Sequence, residues 1–119
     1  MSGTKPTIAL RAVANRTTKA PAHLRNETQT WFSLVVDGYE LEPHHIRLLV
    51  LASESWDRAL EARETLEAEG SYFTDRFGCP KAHPAVQVER DSRTAFARLL
   101  RELDLDGESA PDPRLRRRR

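Results

Sequence analysis

A single cysteine, Cys79, is present in the chain of 119 residues. One cysteine cannot form an internal disulfide and cannot supply the paired ligands of a zinc knuckle. With Cys79, the candidate metal ligands are His44, His45 and His83, and their positions do not follow the paired spacing that zinc sites use. The sequence therefore predicts no metal and no cofactor, and it favours a reducing compartment.

Long hydrophobic runs are also missing. No apolar stretch reaches the ~18 residues that a membrane span needs, and the polar start Met1–Pro6 is not followed by the apolar segment of a signal peptide. We therefore expect a protein of the cytoplasm that has no membrane partner.

Catalytic signatures are absent as well. The chain has no glycine-rich phosphate loop, no nucleophile elbow and no clustered pair of carboxylates. These absences predict that the protein is not an enzyme and has no ATPase or nuclease activity of its own. One enzymatic alternative stays open, a small metal-dependent nuclease that uses His44, His45 and His83.

Acidic residues are missing from both ends of the sequence. Residues 1–25 contain no acidic residue, and five of the residues 114–119 are arginine. All 18 acidic residues lie within 26–113, where nine Lys and Arg remain. Blocks of like charge are often interaction tails, and each cation that meets a phosphate releases a counterion. Two basic arms on an acidic body thus favour contact with double-stranded DNA, although solvated tails or tails paired with the body would show the same charge pattern.

The segment between the arms has a helical pattern. Asn26 predicts the N-cap of a first helix that ends at Gly38. Pro43 fits the first position of a second helix, and Gly70 fits the residue just after its end. This central helix has about 27 residues and a length of ~40 Å at ~1.5 Å per residue. A third helix is expected from Pro84 to about Leu103.

Residues 71–82 combine aromatic residues and threonine around a central glycine, which predicts a short β-ribbon. The expected fold is therefore mainly α: a three-helix core with a long central helix, a short β-ribbon between helices 2 and 3, and flexible basic termini. We divide the chain into a flexible basic arm at 1–22, a helical oligomerisation core at 23–105, and a linker with an arginine-rich tail at 106–119.

The second helix is apolar around most of its circumference in its N-terminal half. A helix that is apolar on so many sides must be covered on more than one side, and two other helices of a short chain cover only part of it. We therefore predict an oligomer interface at Leu48, Leu51 and Trp56. Trp31 and Trp56 are also expected to anchor the core.

The third helix is amphipathic. Its apolar positions between Val88 and Leu103 fall on one face, and Arg90, Arg93, Arg98 and Arg101 fall on the other. This arginine ridge has two interpretations, a surface that faces DNA or an ordinary solvated face. The candidate DNA-binding residues are the cations of the arms and of the ridge: Lys5, Arg11, Arg16, Lys19, Arg25, Arg90, Arg93, Arg98, Arg101, Arg114, Arg116, Arg117, Arg118 and Arg119.

Several features occur in a characteristic order. They are Ala22-His23-Leu24 followed by Trp31, a long second helix that ends in Glu69-Gly70, an aromatic and glycine ribbon, and His83-Pro84-Ala85-Val86 leading into Arg90-Asp91 and the stretch from Phe96 to Leu103. In this order the chain resembles the small subunits of phage terminases of the short, mostly helical type. The resemblance covers about residues 22–105, and it departs from the usual pattern at Phe77-Gly78, where an Asn-Gly turn is more common.

The resemblance implies a ring-forming protein that binds the packaging region of viral DNA. It also implies a partner, the large terminase subunit, which holds the ATPase and the nuclease, and a location in the host cytoplasm. A small DNA-binding transcriptional regulator is the alternative. It would need a basic recognition helix, whereas the second helix here is acidic. We expect those acids to pair within the helix, for example Glu54 with Arg58, or with arginines of a neighbouring subunit.

Overall fold

The computed structural model describes residues 18–105. In chain order they form α1 (Asn26–Gly38), α2 (Pro43–Glu69), β1 (Tyr72–Thr74), β2 (Pro80–Ala82) and α3 (Pro84–Leu103). The predicted fold, mainly helical with a short β-ribbon between the second and third helices, is confirmed. The predicted arms lie outside the described residues, except for 18–22, where Ala20 packs against the core.

Both ends of α2 follow from local sequence. Pro43 occupies the first turn, and Glu42 is the N-cap, with its side chain accepting a hydrogen bond from the His45 backbone. The His45 ring returns the contact, because its Nδ1 accepts from the Glu42 N–H at 3.1 Å. At the other end Gly70 has φ +84°, a conformation that a Cβ disfavours, and its N–H donates to the Leu66 carbonyl.

The start of α1 differs from the prediction. Asn26 is the first helical residue and not the N-cap, which is Arg25, and no side chain of this segment caps the helix. The Arg25 N–H instead donates to the Asp57 carboxylate of α2 at 2.8 Å. The predicted capping side chain of Asn26 is therefore not used, and the acceptor for the Arg25 N–H comes from another helix.

The core lies where α1, the first half of α2 and the end of α3 meet. Its buried apolar side chains are Leu24, Phe32, Val35, Val36, Leu41, Leu49 and Leu103. Trp31 and Leu48 are half-buried and pack against this cluster. Further along α2 only small side chains are buried, so the far half of the molecule is a helical hairpin of α2 and α3 without a third layer.

The contact between α2 and α3 depends on small residues. Ala52, Ser55, Ala59 and Ala62 are buried and recur at helical spacing on one side of α2. Asp57, which binds the start of α1, lies on the opposite side, so the small residues face α3. Short side chains allow the two helix axes to approach closely.

The β-ribbon closes the far end of this hairpin. Its strands are antiparallel, and Tyr72 pairs with Ala82 while Thr74 pairs with Pro80. All six strand residues are exposed, so the ribbon adds little to the core. Among residues 18–105, no helix is long and apolar enough to cross a membrane.

Enlarging a small residue between α2 and α3 should loosen the hairpin. Ala59 is buried, and we expect Ala59→Leu to lower the free energy of unfolding by about 1–3 kcal/mol, because a well-packed contact accommodates extra methylenes only by moving its neighbours. Urea denaturation monitored by circular dichroism measures the change. Ala68→Leu, at an exposed position of the same helix, is the control. Equal stability of both variants and the wild type would contradict the close packing.

Candidate DNA-binding and oligomer surfaces

Acidic side chains of α2 hold the segment that leads into α1. Glu54 contacts His23, with 2.8 Å between Oε2 and Nε2. Asp57 accepts from the Arg25 N–H through Oδ2 and from the buried Thr28 hydroxyl through Oδ1. A carboxylate that takes two donors from one helix start fixes both the position and the direction of that helix.

Arg25 extends this contact by about two more helical turns of α2, from Asp57 to Glu64. Its Nη1 and Nη2 donate to the two carboxylate oxygens of Glu64 at 2.8 and 2.9 Å, a bidentate pair. The hydrogen bond from Arg25 lowers the pKa of the Glu64 carboxyl below its ordinary value of 4.5. The same pairing, and then the charges of Asp57 and Glu61, raise the pKa of Arg25. Arg25 was predicted to contact DNA, and it meets carboxylates of its own chain instead of standing free.

Of the pairs expected for the acids of α2, one within the helix forms, between Glu67 and Arg63 at 3.4 Å. Among the described residues Glu54 pairs with His23 and not with Arg58. Glu54, Asp57, Glu61 and Glu64 recur at helical spacing, so their common face was visible in the sequence. Nothing in the sequence marked residues 23–28 as the partner, because that contact spans about thirty positions of the chain and exists only once α1 has folded back.

The arginine ridge on α3 is exposed. Arg90, Arg93, Arg98 and Arg101 all lie at the surface. Arg93 approaches Glu89 of its own helix at 3.9 Å, which is a loose contact, and no ion pair of the other three occurs within residues 18–105. The opposite face is buried or half-buried except at Val88, which is exposed although its position on the apolar face predicted burial.

The remaining predicted DNA contacts are outside the structure for the most part. Lys19 is exposed and precedes α1. The other cations of the arms lie outside the described residues: Lys5, Arg11, Arg16, Arg114, Arg116, Arg117, Arg118 and Arg119. Within residues 18–105, the ridge is therefore the basic surface that the fold itself arranges.

The three predicted interface residues lie in different surroundings. Leu48 is half-buried against the core. Leu51 is 50% exposed, and Trp56 is 43% exposed. The last two are five positions apart, about 140° around a helix at about 100° per residue, so they lie on different flanks of α2.

Trp56 belongs to a groove between the three helices. Its ring lies 5.1 Å from the ring of Phe96 in α3, and Phe96 lies 6.0 Å from Trp31 in α1. These three rings, with Glu27 and Thr28 at the start of α1, line an open groove of about 310 Å³. We call it the aromatic groove. The sequence predicted Trp31 and Trp56 as core anchors, and the structure leaves both partly open to solvent.

The candidate metal ligands have other contacts. His83 is the N-cap of α3: its Nδ1 accepts from the Ala85 N–H at 3.0 Å, and its Nε2 lies 2.7 Å from Glu69. The His45 ring belongs to the N-terminal cap of α2, and Cys79 is exposed. No group of three or more His, Cys, Asp or Glu that could hold a metal ion is found in the described part of the chain.

Comparisons of the chain with protein-family models, with curated proteins and with solved structures give no match. Of the described surfaces, the ridge on α3 has the chemistry of a phosphate-binding surface, because its guanidinium groups are exposed and three of them are not neutralised by a neighbouring acid. It is the candidate nucleic-acid interface, and the exposed Leu51 and Trp56 are the candidate oligomer contacts.

Removing the Asp57 carboxylate should detach the start of α1. Asp57→Ala leaves the Arg25 N–H and the buried Thr28 hydroxyl without their acceptor, so we expect the free energy of unfolding to fall by about 2 kcal/mol, as for hydrogen bonds to a charged group. Chemical denaturation gives the value. Glu61→Ala, one turn further along the helix at an exposed position, should change stability far less. Similar losses in both variants would show that α1 does not depend on Asp57.

The pair of Arg25 and Glu64 should contribute to stability only above acidic pH. Because the folded pKa of Glu64 lies below 4.5, its contribution is present above that value and disappears as the pH falls through the lowered pKa. Glu64→Gln should therefore be less stable than wild type at neutral pH, by a small amount for a solvent-exposed pair, and equally stable at low pH. Denaturation curves across this range measure the difference, and Glu40→Gln, at an exposed loop position, is the control. A stability difference that persists at low pH would contradict this origin.

Proposed function

We propose that the chain is the small subunit of a phage terminase, which binds viral double-stranded DNA and delivers it to the large subunit, the ATPase and nuclease, for genome packaging in the host cytoplasm. The observation that carries the proposal is the exposed arginine ridge on the helical hairpin of α2 and α3. The sequence resemblance supplies the terminase class, and the ridge supplies a surface on which DNA can lie.

The distribution of charge supports a DNA surface on α3. On α2 the acids Glu54, Asp57 and Glu64 bind the start of α1, and Arg25 neutralises the charge of Glu64 inside the subunit. The ridge keeps its charge available to phosphates. Phosphate contacts of this kind give affinity without reading bases, so DNA bending or the arrangement of subunits would supply the selectivity.

An oligomer would strengthen weak contacts of this kind. Leu51 and Trp56 leave apolar surface on two flanks of α2, and contacts on two flanks allow a ring to close. A ring presents one ridge per subunit to the same duplex, and linked sites bind far more tightly than single ones. In this proposal the protein positions DNA for the large subunit and performs no chemistry itself.

The transcriptional regulator is less well supported. A helix-turn-helix protein inserts its second helix into the major groove. The helix that follows the first turn here is α2, which carries a row of carboxylates along the side that binds α1. That side is already occupied by the start of α1, so it is not free to enter a groove.

Neutralising part of the ridge should weaken DNA binding and its dependence on salt. Each lost phosphate contact changes the slope of log K against log salt by about 0.9, so Arg98→Gln combined with Arg101→Gln should make the slope shallower by about 2. Fluorescence anisotropy at several salt concentrations measures it, with fragments of the viral genome and a random duplex of equal length as probes.

The matched control is Arg47→Gln with Arg58→Gln, two exposed arginines of α2 whose removal changes the net charge equally. This pair should leave the slope almost unchanged. If both pairs act alike, the effect is one of total charge and the ridge is not the interface.

Separately, the wild type should stimulate ATP hydrolysis by the large subunit in the presence of DNA. A protein that binds DNA without this stimulation would count against the terminase assignment.

A further inference from the structure

The far end of the molecule presents large apolar side chains to solvent. We call residues 75–79, which join β1 to β2, the tip. Phe77 in the tip is 76% exposed, and Tyr72 at the start of β1 is 71% exposed. Arg76 lies over the Phe77 ring at 5.2 Å, so a cation accompanies the exposed aromatic ring. Burial of such a ring is among the larger contributions that one side chain makes to an interface.

The tip is fixed in shape by its own hydrogen bonds. Asp75 Oδ1 accepts from the Phe77 and Cys79 N–H groups at 2.8 and 2.9 Å, and the Gly78 N–H donates to the Asp75 carbonyl at 3.0 Å. Gly78 has φ +81°, which glycine adopts without strain. A tip that is already ordered loses little conformational entropy when it binds, so its aromatic ring is presented at low cost.

The aromatic groove offers this tip apolar walls and an acidic rim. It is open, about 310 Å³ in volume, and walled by Trp31, Trp56 and Phe96. Glu27 lies at its rim and has no hydrogen-bond or ion-pair partner in the described residues. The tip carries Arg76, whose only described contact is with the Phe77 ring. An aromatic ring entering the groove would thus bring a cation to an unpaired carboxylate.

The tip cannot reach the groove of its own chain. α2 is a continuous helix from Trp56 to its end at Glu69, about 20 Å at about 1.5 Å per residue, and the tip lies beyond that end. A second molecule must therefore supply one of the two partners.

We propose that the tip of one copy docks into the aromatic groove of the next copy, with Phe77 between the groove rings and Arg76 beside Glu27. Such a contact joins two different surfaces, so it is heterologous and produces a closed ring or a filament instead of a two-fold dimer. The inference rests on the oligomer of the proposed function but requires no DNA. It can therefore be tested independently of DNA binding.

The test is the mass of the purified full chain without DNA, by light scattering and by sedimentation at micromolar concentration. We expect an oligomer for the wild type. Phe77→Ser should weaken assembly about thirtyfold, which is about 2 kcal/mol at 1.4 kcal/mol per decade. The control Leu34→Ser changes another exposed apolar side chain, one that is not among the residues lining the groove, and should keep the wild-type mass. Circular dichroism should be the same for all three proteins, because both changes are at the surface.

Charge exchange tests the pairing itself. Arg76→Glu and Glu27→Arg should each weaken assembly, and the two changes in one chain should restore it in part. Mixing the Phe77→Ser and Glu27→Arg proteins should also give complexes that neither forms alone, because one keeps an intact groove and the other an intact tip.

Three results would overturn the proposal: a monomeric wild type, a Phe77→Ser protein of wild-type mass, or a mixture that contains only the species of its components. The last result is expected if tips pair with tips, or if the groove holds some other ligand. A protein that assembles as proposed and fails to bind DNA would instead contradict the proposed function and leave the contact intact.

Discussion

The carboxylate of Asp57 is the contact on which the position of α1 depends. It accepts hydrogen bonds from the first backbone N–H of the α1 region and from the buried Thr28 hydroxyl. With α1 held there, Phe32, Val35 and Val36 cover Leu49 and complete the core. A charged group with two donors is stable in a half-buried place where an unpaired one would be costly.

The same contact shapes the two surfaces to which we assign function. Holding α1 against the middle of α2 brings Trp31 close to Phe96 and opens the aromatic groove between the three helices. In this arrangement the start of α1 binds the acids Glu54, Asp57 and Glu64. The arginine ridge lies on another helix and keeps its charge. The contacts that hold α1 to α2 thus lie apart from the cations of the ridge, which are on α3.

Local chemistry made most of the fold predictable. Pro43, Gly70 and Pro84 mark helix boundaries through properties of single residues, a fixed φ or a tolerated positive φ, and the structure follows all three. The exposed position of the ridge followed from its helical spacing in the same way. The prediction placed the N-cap of α1 one residue late, at Asn26. The N-cap is Arg25, which has no capping side chain, and the acceptor for its N–H is a carboxylate of another helix. The partner of Glu54 and the exposure of Val88 were missed for the same reason: both depend on which helix packs beside them.

By itself, the sequence determined the helices, the ribbon, the segregation of charge and the absence of the catalytic motifs that we sought. These are properties of residue type and of spacing along the chain, and they need no knowledge of what lies nearby in space. Only the tertiary structure decided that Arg25 is turned towards Glu64, that Trp56 and Phe96 line an open groove, and that Phe77 stands exposed at the far end. The physical reason is that the burial and pairing of a side chain depend on groups brought together by chain folding, and helical periodicity shows which residues share a face but not what that face meets.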